Sequence, residues 1–190
     1  MIDDWCLVIL TMPELLAVAI EAAKKGGVVV SNYFETTLRR EIKEDKSFVT
    51  AADKESETVI LTEIKKHFPD HGILSEESAE QKSSSPYQWV IDPLDGTANF
   101  LNGIPMFAVS IAVLRDGVPV AGAVYHSVGD AMYAAAKGKG MTWKGKSVRV
   151  SEDTHEHAMI SFGPGKKEKE HLNKMLYNAE SFVKSKRYLG

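Results

Sequence analysis

Apolar positions in the first part of the chain recur at helical spacing. Met12, Leu15, Leu16, Ala19, Ile20 and Ala23 fall on one face and predict an amphipathic helix over about 12–25. Thr11-Met12-Pro13-Glu14 reads as its capping box, with Thr11 as N-cap and residues 1–10 as a leader. Gly26-Gly27 is where this helix is expected to weaken, while the run Val28 to Val30 leaves a continuation to about Phe34 open. A second face, Ala52, Ser56, Ile60, Ile64 and Phe68, predicts another helix, opened by Thr50-x-x-Asp53 and closed by Pro69-Asp70-His71-Gly72. The period then changes. Ile73-Leu74-Ser75 and Trp89 to Ile91 read as short buried strands, the second stopping at Asp92 because Pro93 has no N–H for a ladder. Phe100 and Leu101 suit a short helix. Phe107 to Leu114 and Val118 to Tyr125 flank an Asp116-Gly117 hairpin turn. Asp130 to Ala136, Met141 to Trp143 and Val148 to Ser151 continue as short strands, His155 to Phe162 as another, and Lys166 to Tyr177 as a helix.

Composition narrows the class. With 190 residues, 44% hydrophobic and 26% charged, the chain has the balance of a globular protein with one sizeable core. A net charge of −3 gives no basic field to recruit a nucleic acid polymer. One cysteine, Cys6, excludes an intrachain disulfide. Trp5 to Leu10 is too short to span a bilayer and lacks the flanks of a secretory signal, so a cytoplasmic protein with no membrane partner is expected.

The candidate chemistry lies in Trp89-Val90-Ile91-Asp92-Pro93-Leu94-Asp95-Gly96-Thr97-Ala98-Asn99-Phe100. Asp92 and Asp95 bracket a proline, and Gly96-Thr97 allows a sharp turn that aims backbone N–H groups outward. Carboxylates can hold Mg2+ and such N–H groups can hold a phosphate, which suggests a metal-assisted phosphoryl site. Composition alone leaves a plain Asp-Pro turn with solvated acids equally open. Asp53 alone reads as a helix N-terminal acid, and Glu76-Glu77 alone as a solvated turn. Gly140-Met141-Thr142-Trp143-Lys144-Gly145-Lys146-Ser147 satisfies the nucleotide-binding pattern G-x-x-x-x-G-K-[ST]. That mechanism needs a helix afterwards, whereas Ser147 to Ser151 alternates like a strand, so a hairpin is expected. His155 and His157 read as surface histidines, since no Cys or third His lies close in sequence.

Asp92-Pro93-Leu94-Asp95-Gly96-Thr97, with Asn99-Phe100 behind it, resembles the signature hexapeptide of the inositol monophosphatase family of magnesium-dependent, lithium-sensitive phosphomonoesterases. Three further stretches share the resemblance: Lys43 to Asp53, a lysine-rich loop followed by Val-Thr and a helix-starting Asp; Glu76-Glu77; and Tyr133 to Ser151, with its Gly-Lys-Gly hairpin. The resemblance implies an α+β, layered αβαβα fold. Residues 1–150 would form the metal- and phosphate-binding part, with its helix pair and antiparallel sheet, and residues 151–190 the start of a C-terminal α/β portion. It implies that Glu76, Asp92 and the Leu94 carbonyl hold one metal, and that Asp92 and Asp95 hold a second. Asp53 and Thr97 would orient and deprotonate water with Glu76 beside them, while Asp95, Gly96 and Thr97 would receive the substrate. The implied cofactor is Mg2+, two or three ions, with Mn2+ as a substitute. The implied partners are a small inositol or sugar phosphate and a second copy in a homodimer.

After Lys186-Arg187-Tyr188-Leu189-Gly190 the family pattern continues into a Gly-Ser-Ala segment and a Trp-Asp motif that brings a further metal ligand. The chain is therefore expected to be truncated, to hold its second metal weakly, and to expose an apolar face that oligomerisation would cover or that would limit solubility. Fructose-1,6-bisphosphatase and nucleotide 3′-phosphatase activities are close alternatives, though Asn99 to Pro105 resembles the inositol-phosphatase side. A non-catalytic binding or regulatory protein is the alternative from another class.

Overall fold

The chain's structure, a computed structural model, describes residues 4–34, 41, 42, 48, 49 and 51–152, with side chains from Met12 onward except at 41, 42, 48 and 49. The expected strand 155–162 and helix 166–177, and Thr50 of the second capping box, lie outside the described residues. Contacts divide the chain into the units Met1–Arg149 and Val150–Gly190, and every element below belongs to the first.

Helix α1 (Asp4–Tyr33) is longer at both ends than the apolar period predicts. It starts in the apolar stretch read as a leader, so Thr11 is not its N-cap and Pro13 lies inside it. A helical proline removes one i→i−4 bond, which a helix of 30 residues survives by continuing on both sides. Nor do Gly26 and Gly27 end it. Both are buried against neighbours, and the helix runs on through buried Val30.

A two-residue ribbon follows, β1 (Glu41–Ile42) paired antiparallel with β2 (Phe48–Val49), in a region whose sequence shows no period. Helix α2 (Ala51–His67) has Asp53 in its first turn and Lys65, Lys66 and His67 in its last, the arrangement a helix dipole favours. The remaining strands are β3 (Gly72–Ser75), β4 (Tyr87–Asp95), β5 (Ala108–Arg115), β6 (Val118–His126), β7 (Ala131–Ala136), β8 (Gly140–Trp143) and β9 (Lys146–Val148). A short helix, α3 (Thr97–Leu101), lies between β4 and β5. The seven strands form one sheet in the order β3-β4-β5-β6-β7-β8-β9.

The sheet departs from expectation in three places. It is mixed rather than antiparallel, because β3 pairs parallel with β4 and Ser75 sits opposite Ile91. The fourth strand does not stop at Asp92. It runs through Pro93 to Asp95, with a register shift that spares the proline a ladder bond. The last strand is Lys146–Val148, joined to β8 by a turn in which Lys144 and Gly145 both have positive φ. A strand after that glycine turn excludes the nucleotide-binding loop and gives the expected hairpin.

One sheet face packs against α1 and α2. Trp89, Ile91, Val109, Ile111, Val113, Ala121 and Ala123 alternate inward to meet Leu15, Ala19, Ala22, Ile60 and Ile64. The helices are also tied to each other, since Lys25 Nζ donates to Glu63 Oε2 at 2.5 Å and His67 Nε2 lies 3.1 Å from Glu63 Oε1. The opposite face carries Val124, Tyr133, Met141 and Trp143, each 39–43% exposed. No helix among the described residues is long and apolar enough to cross a membrane.

Gly27 sets how closely α1 approaches β6. A Cβ there would lie 2.3 Å from Cδ1 and 2.6 Å from Cε1 of Tyr125, whose buried ring cannot swing aside cheaply. Gly27→Ala gains up to about 1 kcal/mol of helix propensity but overpacks the interface at a cost of about 1–3 kcal/mol. The expected result is a lower urea midpoint; an unchanged or higher one would remove this packing constraint.

Candidate active site

The site grows from the carboxyl ends of β3 and β4. Parallel pairing of Ser75 with Ile91 makes both strands deliver their next residue at the same sheet end, so Glu76 and Asp92 emerge side by side. The Glu76 N–H donates to the Ile91 carbonyl at 3.2 Å and extends that alignment. Beyond Asp92 the register with β5 shifts, from Asp92 opposite Ser110 to Asp95 opposite Ala108. Inside the shift the Leu94 N–H donates to Asp92 Oδ1 at 3.1 Å, and Thr97 Oγ1 donates to the Leu94 carbonyl at 2.9 Å. Ser56 Oγ donates to the Pro93 carbonyl at 3.0 Å.

Gly96 then turns the chain into α3 with φ +89°. A Cβ at this position would sit 2.7 Å from the Met106 carbonyl oxygen, so both conformation and space call for glycine. The Phe100 N–H closes back onto the Gly96 carbonyl at 3.0 Å. Asn99 Nδ2 donates to the Met106 carbonyl at 2.8 Å, and Phe100 packs edge-on against Phe107 with ring centroids 5.1 Å apart. The Asn-Phe pair therefore anchors the turn that follows the carboxylates.

Asp92 carries the electrostatic cost. Burial first, then the charges of Glu76 and Asp95 and a hydrogen bond with Glu76, push its carboxyl up to about 7, while the Leu94 N–H opposes the shift. Asp53 is buried at the start of α2 with 2% exposure. Asp95 and Glu76 face solvent, and Glu77 is half-buried. Ser75 Oγ and Ser78 Oγ, on either side of the Glu76-Glu77 pair, are buried without a hydrogen-bond partner.

Of the residues singled out from sequence, Glu76, Asp92 and Asp95 come close enough to interact, and Leu94, Gly96 and Thr97 belong to the same turn. Among the described residues, no three His, Cys, Asp or Glu side chains stand as a ready-made metal cage. Fit to a cation rests instead on donor chemistry and charge. The donors are all oxygens, which suits Mg2+ with several of its own waters, and a cation would offset the repulsion that raises Asp92. Sequence reading missed Ser56 as part of this site. Its only signal was a hydroxyl on an otherwise apolar helix face.

The model of the inositol monophosphatase family matches residues 11–190. A fructose-1,6-bisphosphatase/inositol-1-monophosphatase of Aquifex aeolicus is 41% identical over 155 residues, covering 80% of this chain and 59% of that protein. A Nus factor SuhB of Pasteurella multocida is 41% identical over 142 residues, covering 73% of this chain and 53% of that protein. Among solved structures, the inositol monophosphatase of Anabaena superposes with a TM-score of 0.67 at 38% identity, covering 77% of this chain and 53% of that one. The chain thus spans about half the length of the curated relatives it matches.

The raised Asp92 carboxyl gives a pH-dependent prediction for the protein without added metal. The folded state holds this proton to about pH 7, whereas an unfolded aspartate releases it near its ordinary 3.8. Folding stability therefore falls as pH rises from about 4 to about 7 and is flat above, as far as this group decides it. Asp92→Asn is expected to match wild type near pH 4 and to melt a few degrees higher, about 2–5 °C, at pH 8. Equal melting temperatures at pH 8 would contradict the raised Asp92 carboxyl.

Proposed function

The chain belongs to the inositol monophosphatase family, and on that footing we propose that it carries the metal- and phosphate-handling residues of a Mg2+-dependent phosphate monoester hydrolase. The observation that supports this reading is the crowding of Asp92 by Glu76 and Asp95, a gathering of negative charge that a hard cation would offset. Members of the family are generally metal-dependent, usually with Mg2+. In this reading Glu76, Asp92 and the Leu94 carbonyl hold one ion and Asp92 and Asp95 a second, with Mn2+ able to replace Mg2+ through the same oxygen donors. Bound ions supply positive charge against the phosphate dianion and lower the pKa of an attacking water.

The chain's own groups do the rest. Thr97 Oγ1 donates its proton to the Leu94 carbonyl, which leaves its lone pairs free to accept from the attacking water. The Leu94 carbonyl keeps a second lone pair for an ion. Asp53, buried one element away, takes the proton that the water releases. Backbone N–H groups at Gly96 and Thr97 receive a phosphate oxygen, in a turn held rigid by Asn99 and by the left-handed Gly96. The substrate class is an inositol monophosphate or related sugar phosphate, in keeping with the relatives' names.

A non-catalytic binding role is the second reading, favoured by the relatives named Nus factor SuhB. Phosphate release measured over a Mg2+ titration separates the two. Inositol 1-phosphate, fructose 1,6-bisphosphate and adenosine 3′,5′-bisphosphate are the substrates to offer. Mg2+-dependent release is expected from at least one, with a loss of about 100-fold or more in Asp95→Asn, since even residues behind metal ligands cost 10–100-fold. No release from any substrate by folded protein would favour the binding role.

A further inference from the structure

The register shift in β4 leaves Pro93 and Leu94 without partners on β5, so their main-chain polar groups must bond elsewhere. Pro93 has no N–H; the Leu94 N–H goes to Asp92 and the Leu94 carbonyl accepts from Thr97. The Pro93 carbonyl accepts from Ser56. Two of these three side chains belong to the turn itself. Ser56 comes from α2, one turn after Asp53, and is completely buried.

The packing around Ser56 leaves room for this contact and little else. A Cβ on Gly26 of α1 would lie 2.8 Å from Ser56 Oγ and 2.7 Å from Ile60 Cδ1. The bare glycine lets α1 press against α2 where Ser56 reaches the turn. A contact chain thus runs from Gly26 through Ser56 to the Pro93 carbonyl, with Asp92 and Leu94 on either side of that proline.

We propose that Ser56 is a positioning residue of the site. Its hydroxyl fixes the helix bearing Asp53 against the turn bearing Asp92, Leu94 and Asp95, and so sets divalent-cation affinity without touching ion or substrate. This role rests on the hydrolase reading above. Apolar burial of α2 holds the helix near the sheet, but burial is non-directional and sets its position along the sheet less sharply than a directed bond does. One directed, buried hydrogen bond fixes that position at the residue where half an ångström matters.

The test compares Ser56→Ala with Ile60→Val, a packing change one turn further along the same buried face that leaves the hydrogen bond in place. Mg2+ binding is read by calorimetry and by the rise in melting temperature on adding Mg2+, alongside kcat and KM. Ser56→Ala is expected to raise the Mg2+ dissociation constant about 10-fold and to lower kcat with KM for the phosphate ester unchanged. Ile60→Val should lower the melting temperature and leave the Mg2+ constant alone. Ser56→Cys, which keeps a side chain at the site but offers only a weak donor, should repeat the loss of affinity if the alanine variant does not fold. A wild-type Mg2+ constant in Ser56→Ala, or an equal weakening in Ile60→Val, overturns the positioning role alone. A wild-type chain that binds no Mg2+ overturns the hydrolase reading, and this role with it.

Discussion

The site depends on a place where the sheet stops pairing. A β-ladder satisfies backbone groups automatically, but a proline and a shifted register interrupt it between Asp92 and Asp95. Each main-chain group released there becomes a demand on a nearby side chain. Those demands are met by Asp92, Thr97 and Ser56, so the backbone of the turn and the polar residues around it hold one another in place. The turn is rigid because its polar groups are satisfied by side chains.

Such a turn needs a firm base, which the apolar core supplies. Trp89 and Ile91, just before the break, are buried under the helices, and Phe100, just after it, is locked among Phe34 and Phe107. The aromatic contacts lie 5.8 Å and 5.1 Å from the Phe100 ring centre, within the range where edge and tilted geometries attract. The segment is therefore pinned on both sides of its irregular stretch. Close approach of the helices matters equally, since Gly26 and Gly27 bring α1 within reach of α2 and β6 together.

Much of this was legible in the chain. The apolar period found both helices, and the Asp116-Gly117 pair and the strand-like alternation from Ser147 onward found two hairpin turns. The hexapeptide marked the candidate site, because its residue types suit chemistry as well as structure. Tertiary context decided the remainder. Pro13 reads as a helix start, yet the apolar residues before it continue the same helix. Gly26-Gly27 reads as a weak point of the helix because propensity counts the lost side chains and not the space they open for Ile60 and Tyr125. Pro93 reads as a strand end because a regular ladder has no place for it, and only the register shift provides one. Ser56 gave no motif at all; its meaning lies in the carbonyl opposite, 37 residues away along the chain.

The one parallel pair in an otherwise antiparallel sheet has a consequence for charge. An antiparallel β3 would send Glu76 out at the opposite end of the sheet from Asp92, separating them by the length of the strand. Parallel pairing puts the two carboxyl ends together and brings the acids within interaction distance, so that the charge of Glu76 adds to burial in pushing the Asp92 carboxyl up to about 7. Hydrophobic collapse gives no reason to choose this direction, since Ile73 and Ser75 would face the core either way. The parallel arrangement costs a connection back along the strand and sets like charges side by side. Stability alone would disfavour both, and a cation held between the acids would repay them. The direction of β3 is thus the feature of the fold that the proposed chemistry explains and packing does not.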